Sequence, residues 1–429
     1  MPQPPQPSER TPPRRRVVIL GAGFAGLAAC DELAASAGEA GLEVVIVDRH
    51  TYNTFQPLLY QVATAGLNPG DIAYPVRSFL RRHGGVGFRQ GVVDDVDFEA
   101  REVRFSGGDP PLSYDYLVLA TGATTNFFGV KGAKDHALAI YTMEDAIAVR
   151  DRAASLLEHA ATFGPSDAAL TVVIVGGGAT GVEMAGTLAE LRRAELETTY
   201  PEIDRSASRV VVVEQLGRLL ASFDARLARY ALQALEERGV EVRLERAVEE
   251  VAADHVLLSD GEEIPTSLVV WSAGVRAGDL ADRLSATKAR GGRVQVGDDL
   301  RLAGHRDVFA VGDVAAARDR GHDEPLPQLA QPAMQAGRHA ARQIVRLQQG
   351  RPTEAFCYVD KGIMATIGRR AAVTELPSGI RLKGTLAWLS WLGLHVVFLL
   401  GFRNRVAVLS NWAWRYISWR RGTRVIAGT

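Results

Sequence analysis

Two hexapeptides in this chain have the composition and spacing of a phosphate cradle: Gly21-Ala22-Gly23-Phe24-Ala25-Gly26 and Gly176-Gly177-Gly178-Ala179-Thr180-Gly181. In such a G-x-G-x-x-G loop the first glycine makes a tight turn and the second leaves room for a pyrophosphate. The third lets a helix pack closely on a strand. The anion then rests on free N–H groups at a helix N-terminus, where the dipole favours it. After each loop comes a strand ending in a carboxylate, Asp48 for the first and Glu214 for the second. Such an acid is placed to accept hydrogen bonds from ribose hydroxyls. The competing reading is a pair of glycine-rich turns that hold nothing. Against it stands the context, because each loop lies between an apolar strand and a helix-forming segment and has its acid in place.

Two such sites imply two dinucleotides, and FAD with a nicotinamide dinucleotide is the expected pair. One is held throughout and the other delivers a hydride. Glu214 would repel a 2′-phosphate and so favour NADH over NADPH, while Arg218 lies near enough in sequence to soften that preference.

The elements that must position these loops repeat one design. RVVILG (16–21) and LEVVIVD (42–48) flank the first loop and its helix, and TVVIVG (171–176) and RVVVVE (209–214) flank the second. Apolar strands without polar alternation suit a parallel sheet buried on both faces. YDYLVLATGATT (114–125) and DVFAVGD (307–313) read as further strands returning to the first sheet. The expected fold class is therefore α/β, with two Rossmann-like dinucleotide-binding domains, the second inserted in the first, and a C-terminal membrane-associating helical region. The expected boundaries are 16–139 with 276–345 for FAD, 140–275 for NADH and 346–429 for the C-terminal region. Residues 1–15, rich in proline and ending in arginine, are expected to form a disordered tail, neither signal nor anchor, which suggests the cytoplasm.

At 429 residues, 47% hydrophobic and 23% charged, the chain suits two or three folded domains and not a multi-spanning one. Its two cysteines, Cys30 and Cys357, exclude a disulfide framework. No zinc spacing or calcium loop is present, so no metal is expected.

With both loops, the Ala120-Thr121-Gly122 strand end and the Gly312-Asp313 strand end in this order, the chain resembles the two-dinucleotide-domain flavoprotein superfamily. Three further features narrow the resemblance. They are Phe55-Gln56-Pro57-Leu58-Leu59-Tyr60-Gln61, Ala330-Gln331-Pro332-Ala333-Met334-Gln335 in the pattern AQxxxQ, and the segment from Asp360 to Arg369. With the Trp- and Arg-rich C-terminus, they resemble the type II NADH dehydrogenases, single-chain NADH:quinone oxidoreductases that pump no protons. The likeness runs from Arg16 to the end. It implies that Gly21, Gly23, Phe24, Ala25, Gly26, Asp48, Ala120, Thr121, Gly122, Gly312, Asp313 and Gln331 line the FAD site. It likewise implies that Gly176, Gly178, Thr180, Gly181, Glu183, Glu214 and Gly274 face NADH, and that Gln331, Gln335 and Lys361 face the quinone. Superfamily members that reduce disulfides or sulfide need cysteines beside the flavin, and FQPLLYQ supplies none.

Some of this is supported by the residues themselves. Pro332 favours the first position of a helix, which puts Gln331 at the N-cap and Gln335 one turn on, over the same face. Such a helix end aimed at a flavin would stabilise negative charge developing on it; alternatively, the glutamines merely cap and solvate a surface helix. Glu183, one turn into the second cradle's helix, is either a dipole-complementing glutamate or a group that contacts the nicotinamide or manages a proton.

Residues 386–402 (LAWLSWLGLHVVFLLGF) are apolar, and five of the six tryptophans lie after Leu386. After Glu375 there are eight basic residues and no acid, so that with a net charge of −1 the rest of the chain carries about −9. Tryptophan with arginine suits the interface of an anionic leaflet; a buried helix, a dimer interface or a short span are the other readings. A segment lying on the bilayer should be removable without unfolding the dinucleotide domains.

The expected activity is electron transfer from NADH through FAD to a membrane quinone, with Glu183, Gln331, Gln335 and Lys361 as catalytic residues. Rival readings are an NADH-dependent reductase of a soluble electron carrier and an NADH-sensing flavoprotein with little turnover. The expected partners are a membrane quinone, an anionic lipid surface and a second copy of the chain in a homodimer, with no nucleic acid. The expected location is peripheral, on the cytoplasmic face of the cell (inner) membrane.

Overall fold

The computed structural model describes residues 14–418 except 37, 165–167, 169, 205–207 and 321, with backbone only for 415–418. Residues 1–13 of the expected N-terminal tail and the last arginines lie outside these residues, whereas Arg15, expected in the tail, opens β1, where its N–H bonds the Gly41 carbonyl. The first half of the chain forms β1 (Arg15–Leu20), α1 (Phe24–Ala34), β2 (Leu42–Asp48), α2 (Leu59–Ala63), β3 (Val86–Gln90), β4 (Tyr116–Leu119), β5 (Ala137–Ala139), α3 (Met143–Phe163), β6 (Thr171–Val175) and α4 (Ala179–Thr198). There follow β7 (Arg209–Glu214), α5 (Ala225–Glu236), β8 (Val240–Leu244), β9 (Leu268–Trp271), β10 (Val308–Ala310), α6 (Ala330–Gln348), β11 (Ile363–Gly368), β12 (Ala371–Glu375), β13 (Arg381–Lys383), α7 (Thr385–Phe398) and α8 (Phe402–Ser418).

The chain divides into two compact units. The first comprises Met1–Tyr52, Pro75–Ala123 and Ala277–Tyr358. Its sheet has the order β10-β4-β1-β2-β3, and every pairing is parallel. Val17, Val18 and Ile19 of β1 are fully buried, as apolar residues covered on both sheet faces must be. The returning strands are β4 and β10, which lie side by side next to β1.

The second unit comprises Asn53–Tyr74, Thr124–Arg276 and Val359–Thr429. Its sheet, β5-β9-β6-β7-β8, is also wholly parallel and has the same plan. In the first unit the outermost strand beside β4 comes from after the inserted segment. In the second, the strand beside β9 comes from before the cradle: β5, at 137–139, which the expected boundary at 140 left in the other domain. Residues 53–74 also belong to this unit, and 346–429 do not form a third body, since they divide at Tyr358 between the two. Local pattern does not reveal these memberships, because they depend on which sheet edge a short strand finds.

In the second unit α4 lies against the antiparallel sheet β11-β12-β13. Gly186 on α4 permits this: a Cβ there would overlap the backbone carbonyl of Ile367 on β11. Sheet and helix thus meet backbone to backbone.

Candidate dinucleotide sites and a buried carboxyl

Both glycine loops leave their first strand with a left-handed residue, Gly21 at φ +107° and Gly176 at φ +105°. A side chain at Gly21 would overlap the Ala120 carbonyl, and one at Gly176 the Ala273 backbone, so both loops press against the end of the neighbouring strand. A Cβ at Gly26 would overlap the Gly21 carbonyl, and one at Gly181 the Gly176 carbonyl. The middle glycines differ: no atom of the described residues outside the loop lies within 4 Å of where a Cβ would stand at Gly23 or Gly178. That combination, closed on the protein side and open outward at the helix N-terminus, fits a pyrophosphate.

The two acids behave alike. Asp48 accepts the Ala22 N–H on Oδ2 at 2.6 Å and the His50 N–H on Oδ1 at 2.7 Å. Glu214 accepts the Gly177 N–H on Oε2 at 2.6 Å and the Leu216 N–H on Oε1 at 2.8 Å. Each carboxylate is thereby fixed beside its loop, with lone pairs left for a ribose. Arg218 donates to the Ala221 carbonyl at 2.7 Å, which ties its guanidinium to its own turn.

In the first unit the expected residues converge. Ala120, and with it Thr121 and Gly122, follows β4 beside Gly21, while Gly312 at the end of β10 has Ala25 and Ala333 as neighbours. Asp313 accepts a hydrogen bond from the Gln328 amide on its backbone carbonyl at 3.0 Å. Helix α6 begins here, but its N-cap is Leu329, so Gln331 is not the cap and Pro332 is third in the helix. Proline is tolerated there because first-turn N–H groups have no intrahelical partner anyway. Gln331 and Gln335, four apart and both part-exposed, still share one face of the helix.

In the second unit Gly274 follows β9 beside the cradle and Thr180 is exposed at the start of α4. Lys361 is exposed, just ahead of β11. Glu183 is buried where α4 meets β11: Oε1 accepts the Thr366 N–H at 3.3 Å. Burial pushes its pKa up to about 8, opposed by the Thr366 hydrogen bond and by the Trp391 indole, whose Nε1 completes no hydrogen bond among the described residues. A simple dipole-complementing glutamate would be exposed and ionised. This one holds a proton at neutral pH.

The sequence reading missed the aromatic cluster to which Trp391 belongs. Trp391 stacks on His395 at 3.9 Å between ring centroids and 22° between planes, and Tyr60 meets the indole edge-on at 6.2 Å. Gln61 donates to the Tyr60 hydroxyl at 2.8 Å and accepts the Trp412 Nε1–H at 2.7 Å. A Trp and a His four apart on one helix were the available signal.

The C-terminal helices correct the expected role of the tryptophans. Trp388, Trp391 and Trp412 point inward, with Trp391 1% exposed. On α8, Asn404 donates to the Ala73 carbonyl and Asn411 to Asp71, each at 2.8 Å. The outward large apolar residues are Leu386, Leu389, Leu394 and Val397 on α7, and Phe402, Val406, Leu409 and Trp414 on α8. Among the described residues no helix is long and apolar enough to cross a membrane. The apolar run of 386–402 is broken after Phe398 by the turn through Gly401.

Residues 15–337 match the family model of pyridine nucleotide-disulphide oxidoreductases. A type II NADH:quinone oxidoreductase of Mycobacterium tuberculosis is 36% identical over 98% of this chain and 92% of its own. The chain belongs to the type II NADH:quinone oxidoreductase family. A Staphylococcus aureus member is 32% identical over 84% of this chain and 89% of its own. In fold, this type II oxidoreductase is similar to the NDH2 of Plasmodium falciparum solved with NADH, with a TM-score of 0.85 at 19% identity over 95% of this chain and 99% of that one. The sulfide:quinone oxidoreductase of Aquifex aeolicus is also alike in fold, with a TM-score of 0.73 at 18% identity over 94% of this chain and 95% of that one. Both cysteines here are free; Cys30 is buried in α1, its thiol pushed up to about 12 by burial, and Cys357 is exposed.

Proposed function

We propose that this chain oxidises NADH and reduces a membrane quinone, with FAD in the first cradle and NADH in the second. The observation that carries the reading is the pair of outward-open loops, each with its carboxylate pinned by two backbone N–H groups, in a chain of this family. Bound FAD would supply the two-electron exchange between nicotinamide and quinone. The chain's own residues bind and orient. Gly23 and Gly178 admit the two pyrophosphates, and Asp48 and Glu214 hold the riboses. The start of α6, with Gln331 and Gln335 on one face, would favour negative charge on a bound flavin and would meet the quinone. The likeness to the family assigns Lys361, exposed ahead of β11, to the quinone as well. The reaction takes up one proton beyond the hydride, NADH + H⁺ + quinone giving NAD⁺ + quinol, and Glu183 is the group that holds it.

The enzyme lies on the cytoplasmic face of the membrane. The outward apolar residues of α7 and α8 and the exposed Arg403 and Arg405 support this, because the cytoplasmic leaflet is anionic. Steady-state NADH oxidation with a short-chain quinone tests the function: turnover should require the quinone and release non-covalent FAD on denaturation. Reduction of the flavin by NADH without acceleration by any quinone would overturn it. Stopped-flow mixing tests the glutamines, since Gln331→Ala and Gln335→Ala should slow flavin oxidation by quinone more than flavin reduction by NADH.

A further inference from the structure

We infer that Trp391 is a positioning residue for Glu183: its indole closes the α7 side of the carboxyl's pocket against water, and His395 stacked on the indole holds the ring in place. The inference rests on the reading of Glu183 as the proton-holding group.

The indole is held on several sides. Its ring stacks on His395, takes Tyr60 edge-on and lies 6.0 Å from the ring of Trp412. His395 Nδ1 is 2.7 Å from the Trp391 carbonyl, and Phe55 meets the imidazole edge-on at 6.1 Å. Burial pushes the imidazole pKa down to about 4, so at neutral pH His395 is an uncharged slab that adds no field at the carboxyl. A neutral imidazole with Nδ1–H donating to the Trp391 carbonyl locks this turn of α7.

No charge on the elements packed against α4 takes the place of water. β6 and β11 carry no titratable residue, and α2 carries only Tyr60. Glu190 pairs with Arg238, Arg209 with Glu241, Arg243 with Glu262, and Glu214 is engaged by its loop. On α5, Arg226, Arg229 and Glu236 are exposed and Tyr230 is half-buried. The carboxyl's proton is therefore held by exclusion of water, and Trp391 is a wall of the excluded space.

The ring and its N–H act in opposite directions. The ring keeps water out and favours the neutral acid, while the N–H dipole, though it completes no hydrogen bond among the described residues, favours the carboxylate. Phenylalanine keeps most of the wall and removes the donor, whereas alanine removes both. The experiment is an infrared pH titration of the protonated carboxyl band in the full-length flavin-loaded protein, assigned by its loss in Glu183→Gln.

The parent midpoint should lie near 8, Trp391→Phe should leave it there or raise it, and Trp391→Ala should lower it by at least one pH unit. His395→Leu, which frees the indole, should lower it part of the way. An unchanged midpoint in Trp391→Ala and His395→Leu overturns the inference, as does an equal fall in the Phe and Ala variants. Should Trp391→Ala fail to fold, the Phe and His395→Leu midpoints decide. The pH profile of the quinone half-reaction separates the two readings. A midpoint that moves while the profile stays put upholds Trp391 and refutes Glu183 as the proton carrier.

Discussion

The Thr366 N–H reaches Glu183 Oε1 at 3.3 Å, where α4 meets β11, and among the described residues burial, not a neighbouring charge, raises that carboxyl's pKa. A raised carboxyl pKa has a consequence for stability. The ordinary value is 4.5 and the folded value about 8, so the folded state holds the proton more tightly. The associated stability is complete below about pH 4.5 and is lost as pH rises toward 8, at about 1.4 kcal/mol per pH unit. Glu183→Gln removes this dependence. Denaturant unfolding should find the variant gaining on the parent by roughly 2–3 kcal/mol between about pH 5.5 and 7.5; a constant difference would mean the carboxyl titrates normally.

Gly186→Ala should be costly, because its Cβ would overlap the Ile367 carbonyl. Overpacking against backbone costs on the order of 1–3 kcal/mol, and here the sheet must move. Gly393→Ala is the matched control. It lies in α7 with nothing within 4 Å of its Cβ position, and should gain roughly 0.5–1 kcal/mol from helix propensity. Thermal unfolding of the two variants checks the sign of each change.

Gly23→Ala and Gly178→Ala should leave the bare protein's unfolding unchanged, since neither methyl meets an atom of the protein outside the loop. The first should release FAD and the second should raise the KM for NADH tenfold or more, about 1.4 kcal/mol or above. Flavin retention on gel filtration and steady-state kinetics measure the two effects. Unaltered binding in both would place the pyrophosphates elsewhere.

Glu214→Gln should narrow the preference for NADH over NADPH, read as the ratio of their kcat/KM values. One amide oxygen can keep a backbone contact, but the charge that repels a 2′-phosphate is gone. Arg218→Ala should leave the ratio where it is, because the guanidinium is turned to the Ala221 carbonyl. A change there comparable with that of Glu214→Gln would show the arginine reaching the nucleotide.

Deleting the C-terminal helices cannot test membrane attachment, since Trp391 and Trp412 are core residues of the second unit. Outward substitutions can. Val397→Glu and Phe402→Glu alter side chains 65% and 82% exposed, so they should leave folding intact and weaken binding to anionic vesicles. High salt should weaken binding of the parent without abolishing it, as each arginine near the surface contributes on the order of 1 kcal/mol. Sedimentation with vesicles reads both effects; undiminished binding of the double variant would put the lipid contact on another face.

The sequence by itself determined the cradles. A buried parallel strand, a glycine loop, a helix and a terminal acid are all local, and Gly21 to Asp48 and Gly176 to Glu214 each span one contiguous βαβ unit. It also determined that the end of the chain is apolar and basic. Which tryptophans face outward was beyond it, because α7 and α8 are apolar on more than one side and only contact with residues 59–74 and β12 chooses the buried stripe. The start of α6 slipped for a similar reason: Pro332 is compatible with several first-turn positions, and the fold settled on Leu329 as the cap. The state of Glu183 is wholly tertiary. Its hydrogen-bond donor is 183 residues away and the ring that covers it is on another helix, so its proton affinity depends on solvent exclusion that no local pattern encodes.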